Sequence, residues 1–196
     1  MVKINRVYTG GGDGGESSLV DGSRRKKSDA RFDVVGVCDE VNSWLGMILA
    51  ELGRLPDHED GGERTNVQRV QTVLNEALVR VQNELFDVGA ELACPPATLP
   101  EYMVLISQAQ TDVLMEEMDA WLATLPDLTS FILPAGSPTV ATMHVARTVV
   151  RRLERSIVNL VETEGEGAVR PLVMVYVNRL SDWFFVMGRW TSMMLN

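Results

Sequence analysis

Past residue 30 the apolar residues fall at intervals of three and four, the spacing that gathers side chains on one face of an α-helix. Val41, Leu45, Ile48, Leu49 and Leu52 form the first such stripe. The second runs Val67, Leu74, Leu78, Val81, Leu85, Val88 and Leu92, interrupted only at Gln71, in the rhythm of a helix packed nearly parallel to its neighbours. Pro95-Pro96 stops it. Leu114, Met118, Trp121 and Leu125 mark a third helix that the pattern carries as far as Pro126. Ser137-Pro138 supplies an N-cap and a first-turn proline for a fourth. This helix buries Met143, Ala146, Val150, Leu153, Ile157 and Leu160, and breaks at Gly165 and Gly167. Pro171 opens a fifth, with Val173, Val177, Leu180, Phe184 and Met187 facing inward. The pattern predicts an all-α, five-helix up-and-down bundle with linkers near 55–63, 94–103, 126–137 and 163–171. No alternating strand pattern competes with it, and there is no sign of a repeat or a second domain.

Residues 1–30 are rich in glycine, serine and charge and lack periodicity. The expected organisation is therefore one domain over 1–196, a glycine-rich loop at 1–30 leading into a bundle at 31–196. With 45% hydrophobic and 23% charged residues among 196, the chain can build a single sizeable core. No apolar run approaches the ~20 residues that cross a bilayer, and Met1 to Arg6 lack the apolar core of a secretory signal. Cys38 and Cys94 allow at most one disulfide. A cytoplasmic protein with no membrane contact is expected. The net charge of −9 argues against nucleic acid as a partner, so any polyphosphate must be held by a local basic cluster.

The fourth helix offers such a cluster. At about 100° per residue, Arg147, Arg151 and Glu154 share a narrow stripe, with His144 and Arg155 on its flank and Arg152 off it. Charged helix faces are usually just solvated, but guanidinium groups one turn apart repel unless an anion lies between them, and a triphosphate would serve. The fifth helix carries Asn178, Asp182, Phe185 and Arg189 opposite its apolar stripe. Asp39, Asn42, Ser43 and Gly46 make a small polar face on the first helix, suited to close approach or a subunit contact. The segment Thr9-Gly10-Gly11-Gly12-Asp13-Gly14-Gly15-Glu16-Ser17-Ser18 has free backbone N–H groups able to wrap phosphate, although by glycine content alone it reads as a floppy tail. It is not a P-loop, because Glu16 stands where the lysine is needed. His58 reads as a surface residue, and the Glu-x-x-His pairs of di-iron bundles are absent.

Together these segments resemble the PduO-type ATP:cob(I)alamin adenosyltransferases along nearly the whole chain. Thr9, Gly12, Asp13, Gly15 and Ser17 match the family's Thr-x-x-Gly-Asp-x-Gly-x-[Ser/Thr] pattern. Lys27-Ser28-Asp29-Ala30-Arg31 is similar to its lysine-led linker, and Gly36 to Gly46, containing Asp39-Glu40-Val41-Asn42-Ser43, to its first helix. Phe131-Ile132-Leu133-Pro134, Ala146 to Arg155, and Asn178 to Phe185 complete the match.

The resemblance implies a ferritin-like, cobalamin adenosyltransferase type of bundle, assembled as a homotrimer with ATP between subunits. Thr9, Gly10, Gly11, Gly12, Asp13, Gly15, Ser17, Ser18 and Lys27 would hold the triphosphate with Arg151, Arg152, Glu154 and Arg155, while Asn178 holds the nucleotide. Mg²⁺ would arrive on the ATP phosphates, with Glu154 a candidate ligand. Asp39 and Arg147 would pair and brace the site. Phe131 would press on the lower face of cob(II)alamin, displacing its axial ligand and easing reduction to cob(I)alamin, which attacks C5′ of ATP and expels triphosphate. The metal of the substrate is then the nucleophile; the protein positions ATP and neutralises the leaving group. A corrinoid reductase or reduced flavoprotein would supply the electron, and an adenosylcobalamin-dependent enzyme would take the product. Two departures stand out: Ala135 where the family usually has glycine, and glycines at 10 and 14 where basic residues are frequent. The alternative from another class is a non-catalytic helical sensor or chaperone binding nucleotide or corrinoid, which would bind both unchanged. A purely structural bundle would leave Arg147, Arg151 and Asn178 without work.

Overall fold

The computed structural model describes Tyr8 and residues 10–56, 58–59, 62–63 and 65–196. Five helices form where the periodicity places them. The first, α1 (Ala30–Leu52), is capped by Asp29, whose carboxylate accepts from the Arg31 backbone N–H at 2.9 Å. The second, α2 (Thr65–Leu92), is the longest at 28 residues. A short 3₁₀ turn at Pro96–Thr98 follows it. The third helix, α3 (Gln108–Leu122), starts where the Gln110 side chain accepts from the Ser107 backbone N–H at 3.0 Å. It ends four residues short of Pro126, because the Thr124 hydroxyl takes the Trp121 carbonyl at 2.8 Å and the residue before a proline is driven out of the α region. The fourth, α4 (Pro138–Glu164), has Ser137 as N-cap, accepting from the Val140 N–H at 3.4 Å, and stops at Gly165 with φ +100°. The fifth, α5 (Pro171–Leu195), closes the chain.

Spatial order differs from chain order. Helix α1 packs most extensively on α4, α4 on α5, and α1 on α2, while α2 also touches α5. These four helices close a ring around the core, and α3 lies outside against α5. Trp121 of α3 fixes that contact, its ring centroid 5.7 Å from both Trp183 and Trp190. A polar network spans the same region. The Tyr176 hydroxyl donates to Glu84 at 2.6 Å, Arg80 bridges Glu84 (2.8 Å) and Glu117 (2.7 Å), and the Trp183 indole N–H donates to Glu117 at 2.7 Å. Each of these four side chains, Tyr176, Glu84, Glu117 and Trp183, thus has a partner, as a low-dielectric interior favours.

Residues 10–29 are more ordered than a floppy tail. Strands β1 (Glu16–Ser18) and β2 (Arg24–Lys26) pair antiparallel, Glu16 opposite Lys26. Between them Asp21 accepts from the Ser23 N–H (2.9 Å) and hydroxyl (2.6 Å), and Gly22 takes φ +81°. The hairpin tip rests on the bundle through buried Leu19 and a Val20 N–H donated to the Ala93 carbonyl at 3.3 Å. A second small pair, β3 (His58–Glu59) with β4 (Gly62–Glu63), sits between α1 and α2.

Candidate functional site

Glycines build the loop before β1. The Asp13 N–H donates to the Gly10 carbonyl and the Gly15 N–H to the Gly12 carbonyl, both at 3.2 Å, with Gly10 at φ +72° and Gly15 at +83°. Lys27, just past β2, returns to this loop. Its N–H donates to the Gly15 carbonyl at 2.8 Å, and a Cβ on Gly12 would sit 3.0 Å from its Nζ. The absence of a side chain at Gly12 lets the ammonium lie close across the loop. Gly11, Asp13 and Ser18 are exposed, Ser17 is half-buried, and Arg24 donates to the Gly11 carbonyl at 2.9 Å. Thr9 lies outside the described residues.

Lys27 also lines a groove of about 650 Å³ between α1 and α4, with Phe32, Asp33, Glu40, Arg152 and Asn159 on its walls. Arg152 spans it to form an ion pair with Glu40, and the arginine's hydrogen bond draws the Glu40 carboxyl below its ordinary range. Part of the Arg152 charge is thus committed within the chain, tying α4 to α1.

The other predicted residues lie elsewhere on α4. Arg151 is exposed and its guanidinium has no partner among the described residues; its carbonyl accepts from Arg155 at 3.0 Å. Glu154 accepts from Asn178 of α5 at 2.6 Å, so the two predicted stripes meet side by side. Asp182 pairs with Arg179 at 2.6 Å, within α5. Arg147 is half-buried with its Nε orphaned among the described residues. Asp39 stands exposed on α1 beside Asn42 and Ser43, along a cleft shared with Gln82 and Phe86 of α2. One chain does not pair Asp39 with Arg147. His144, expected on the flank of the arginine stripe, is 5% exposed and packs against Gly188 of α5, where an added Cβ would meet its ring at 3.7 Å. Its Nδ1 has no partner among the described residues, and burial, then the Arg147 charge, lower its pKa.

Phe131 is 105% exposed, as open as in an extended chain. A ring so exposed does not plug the end of the bundle. Ile132 and Leu133 cover a cavity of about 340 Å³ that also holds Ala135, His144 and Gly188. The conformational demand in this turn falls on Gly136, at φ +132° with an added Cβ 3.0 Å from Val140. No non-glycine residue among those described has positive φ, so Ala135 in place of glycine costs the turn nothing.

Sequence reasoning did not find Glu40 as a partner for Arg152, nor Arg25, Arg31 and Glu164, which form an ion cluster tying β2 and α1 to the end of α4. These partners lie more than a hundred residues apart, 112 for Glu40 with Arg152 and 139 for Arg25 with Glu164. No local pattern could have joined them. Among the described residues no three acidic, histidine or cysteine side chains gather to hold a metal, and no helix is long and apolar enough to cross a membrane.

Residues 7–191 match the family model for cobalamin adenosyltransferase. The corrinoid adenosyltransferase of Mycobacterium tuberculosis is 43% identical over 189 residues, 96% of this chain and 89% of that protein. The Bacillus subtilis corrinoid adenosyltransferase is 37% identical over 184 residues, covering 94% of this chain and 85% of the relative. A phenylalanine-to-alanine variant of a PduO-type ATP:corrinoid adenosyltransferase from Lactobacillus reuteri, solved with cobalamin and ATP, superposes with a TM-score of 0.80. It is 30% identical, over 97% of this chain and 95% of that one. An arginine-to-lysine variant solved with ATP gives a TM-score of 0.81 at 32% identity, over 97% and 96%.

Proposed function

This chain belongs to the cobalamin adenosyltransferase family, and from that premise we propose how its own residues carry the reaction. The activity is ATP-dependent adenosylation of cobalamin, which makes the chain a transferase. Reduced cobalt donates an electron pair to C5′ of ATP to form the cobalt–carbon bond, the C5′–O bond breaks, and triphosphate leaves with the C5′–O bonding pair. The protein must hold the reactants in line and neutralise the leaving charge.

Lys27 and the N–H groups of residues 10–18 take the triphosphate from one side, and Arg151 and Arg155 from the other. Asn178, oriented by Glu154, holds the nucleoside end. In one chain Lys27 lies in the groove between α1 and α4, while Arg151 is turned about 100° away from Arg152 around the helix. Two chains would bring the halves together. Asp39, exposed and without an ion-pair partner among the described residues, and Arg147, whose Nε is likewise orphaned among them, then pair across the boundary. A homotrimer is the assembly we propose. Magnesium would ride on the ATP phosphates and supply charge neutralisation there, since Glu154 is engaged with Asn178 and no carboxylate cage is at hand among the described residues. Cys38 and Cys94 are buried and unbridged, which supports a reducing, cytoplasmic setting, with a corrinoid reductase or reduced flavoprotein supplying the electron.

The observation that carries this reading is Phe131. A phenylalanine with no burial adds nothing to the fold, so its ring is available to cover the lower face of a flat ligand and keep an axial ligand away from the metal. The test is anaerobic incubation of the protein with ATP, cobalamin and a strong reductant. Adenosylcobalamin and triphosphate should appear in equal amounts. Binding of both substrates without product would instead indicate a sensor.

A further inference from the structure

Two contacts among the described residues tie the hairpin that precedes Lys27 to the body of the bundle. One is its tip, at Leu19 and Val20. The other is Glu164, the last residue of α4, which accepts from Arg25 of β2 and from Arg31 of α1. Arg31 is 0% exposed and also donates to the carbonyls of Leu92 (2.9 Å) and Ala168 (3.0 Å). It ties together the end of α2, the turn before α5 and the start of α1. Arg25 is peripheral by comparison, partly exposed, with Asp29 at 3.5 Å as its only other carboxylate partner among the described residues. It stands two residues before Lys27.

We propose that Glu164 and Arg25 form a clasp that positions Lys27 and the glycine loop for ATP. The clasp rests on the reading that residues 10–27 contact the triphosphate. Burial alone would favour a neutral Glu164, but its two arginines outweigh that and hold the carboxyl below its ordinary range. Glu164 lies thirteen residues past Arg151, about 20 Å along α4. Its influence on ATP therefore runs through β2 and not through the arginine stripe.

Four variants of the full chain, assayed for adenosyl transfer, test this: Arg25→Gln, Glu164→Gln, the double variant and Arg25→Lys. Arg25→Gln and Glu164→Gln should each raise KM for ATP about tenfold, the scale of one lost charge-assisted hydrogen bond. The KM for corrinoid and kcat at saturating ATP should stay near wild type. The double variant should be no worse than either single one, and Arg25→Lys should recover part of the loss. Amide exchange at 16–18 and 24–26 should quicken in Arg25→Gln, a readout that does not need activity. Unchanged KM for ATP in both single variants would overturn the clasp. So would a rise in Arg25→Gln alone, which would make Arg25 a direct phosphate ligand, and so would additive effects. If the wild-type chain makes no adenosylcobalamin, the functional reading fails, and exchange at β1 and β2 still decides whether Glu164 anchors the hairpin.

Discussion

At the scale of single residues, exposure separates function from fold most clearly at Phe131 and Gly14. Since Phe131 touches nothing that a folded monomer needs, Phe131→Ala should leave the melting temperature within the small range of surface substitutions, roughly 0.5 kcal/mol. The rate from cob(II)alamin should fall roughly tenfold or more, because a lower ligand can return and hold the metal back from reduction. The rate from chemically prepared cob(I)alamin should suffer much less. Equal losses from both starting states, read by absorbance, would deny the ring this role. Gly14 has open space around its Cβ position and no left-handed backbone, whereas Gly10 sits at φ +72°. Gly14→Lys should lower KM for ATP by roughly twofold to fivefold, the scale of one exposed charge pair. Gly10→Lys should not, since backbone strain offsets the gain. Paired KM measurements check both.

At the scale of elements, the helices could be read from sequence because each buries one face against the same core and repeats the 3.6-residue period many times. The hairpin could not. Its strands have three residues each, too few for alternation to register. The end of α3 depended on the Thr124 hydroxyl, a detail below the resolution of hydrophobic patterning. The sequence offered the glycine loop, Lys27, the arginines of α4 and Asn178 as candidates by residue type alone. Their packing was not legible there. A helical wheel set His144 beside the arginines because it cannot see that Gly188 of α5 leaves room for an imidazole. That burial has a pH consequence. The folded chain keeps His144 neutral below the ordinary value of 6.5, while the unfolded chain binds a proton there. Stability should therefore fall as pH drops from about 7 through the lowered folded value. Melting temperatures at pH 7.5 and 5.5 should differ less in His144→Asn than in wild type; an unchanged difference would mean that other groups set the slope.

At the scale of the whole molecule, one chain faces the described candidate residues in different directions. Lys27 lies in the groove toward α1, Arg151 points outward, and Asp39 and Arg147 remain apart. A ring built from one repeated head-to-tail contact would use each chain twice, once for its loop and once for its α4. The net charge of −9 fits this arrangement, since basic groups concentrated at such contacts need not compete with a basic surface. Subunit complementation tests the account most directly. Lys27→Ala and Arg151→Ala chains, each nearly inactive alone, are mixed in equal amounts, unfolded, refolded together and assayed for adenosyl transfer from ATP. A site shared between neighbours is intact wherever a chain with Lys27 meets one with Arg151, so the mixture should recover about one quarter of the wild-type rate. Recovery of none, with the mixed oligomers present, would put both residues in one chain's site and contradict the account.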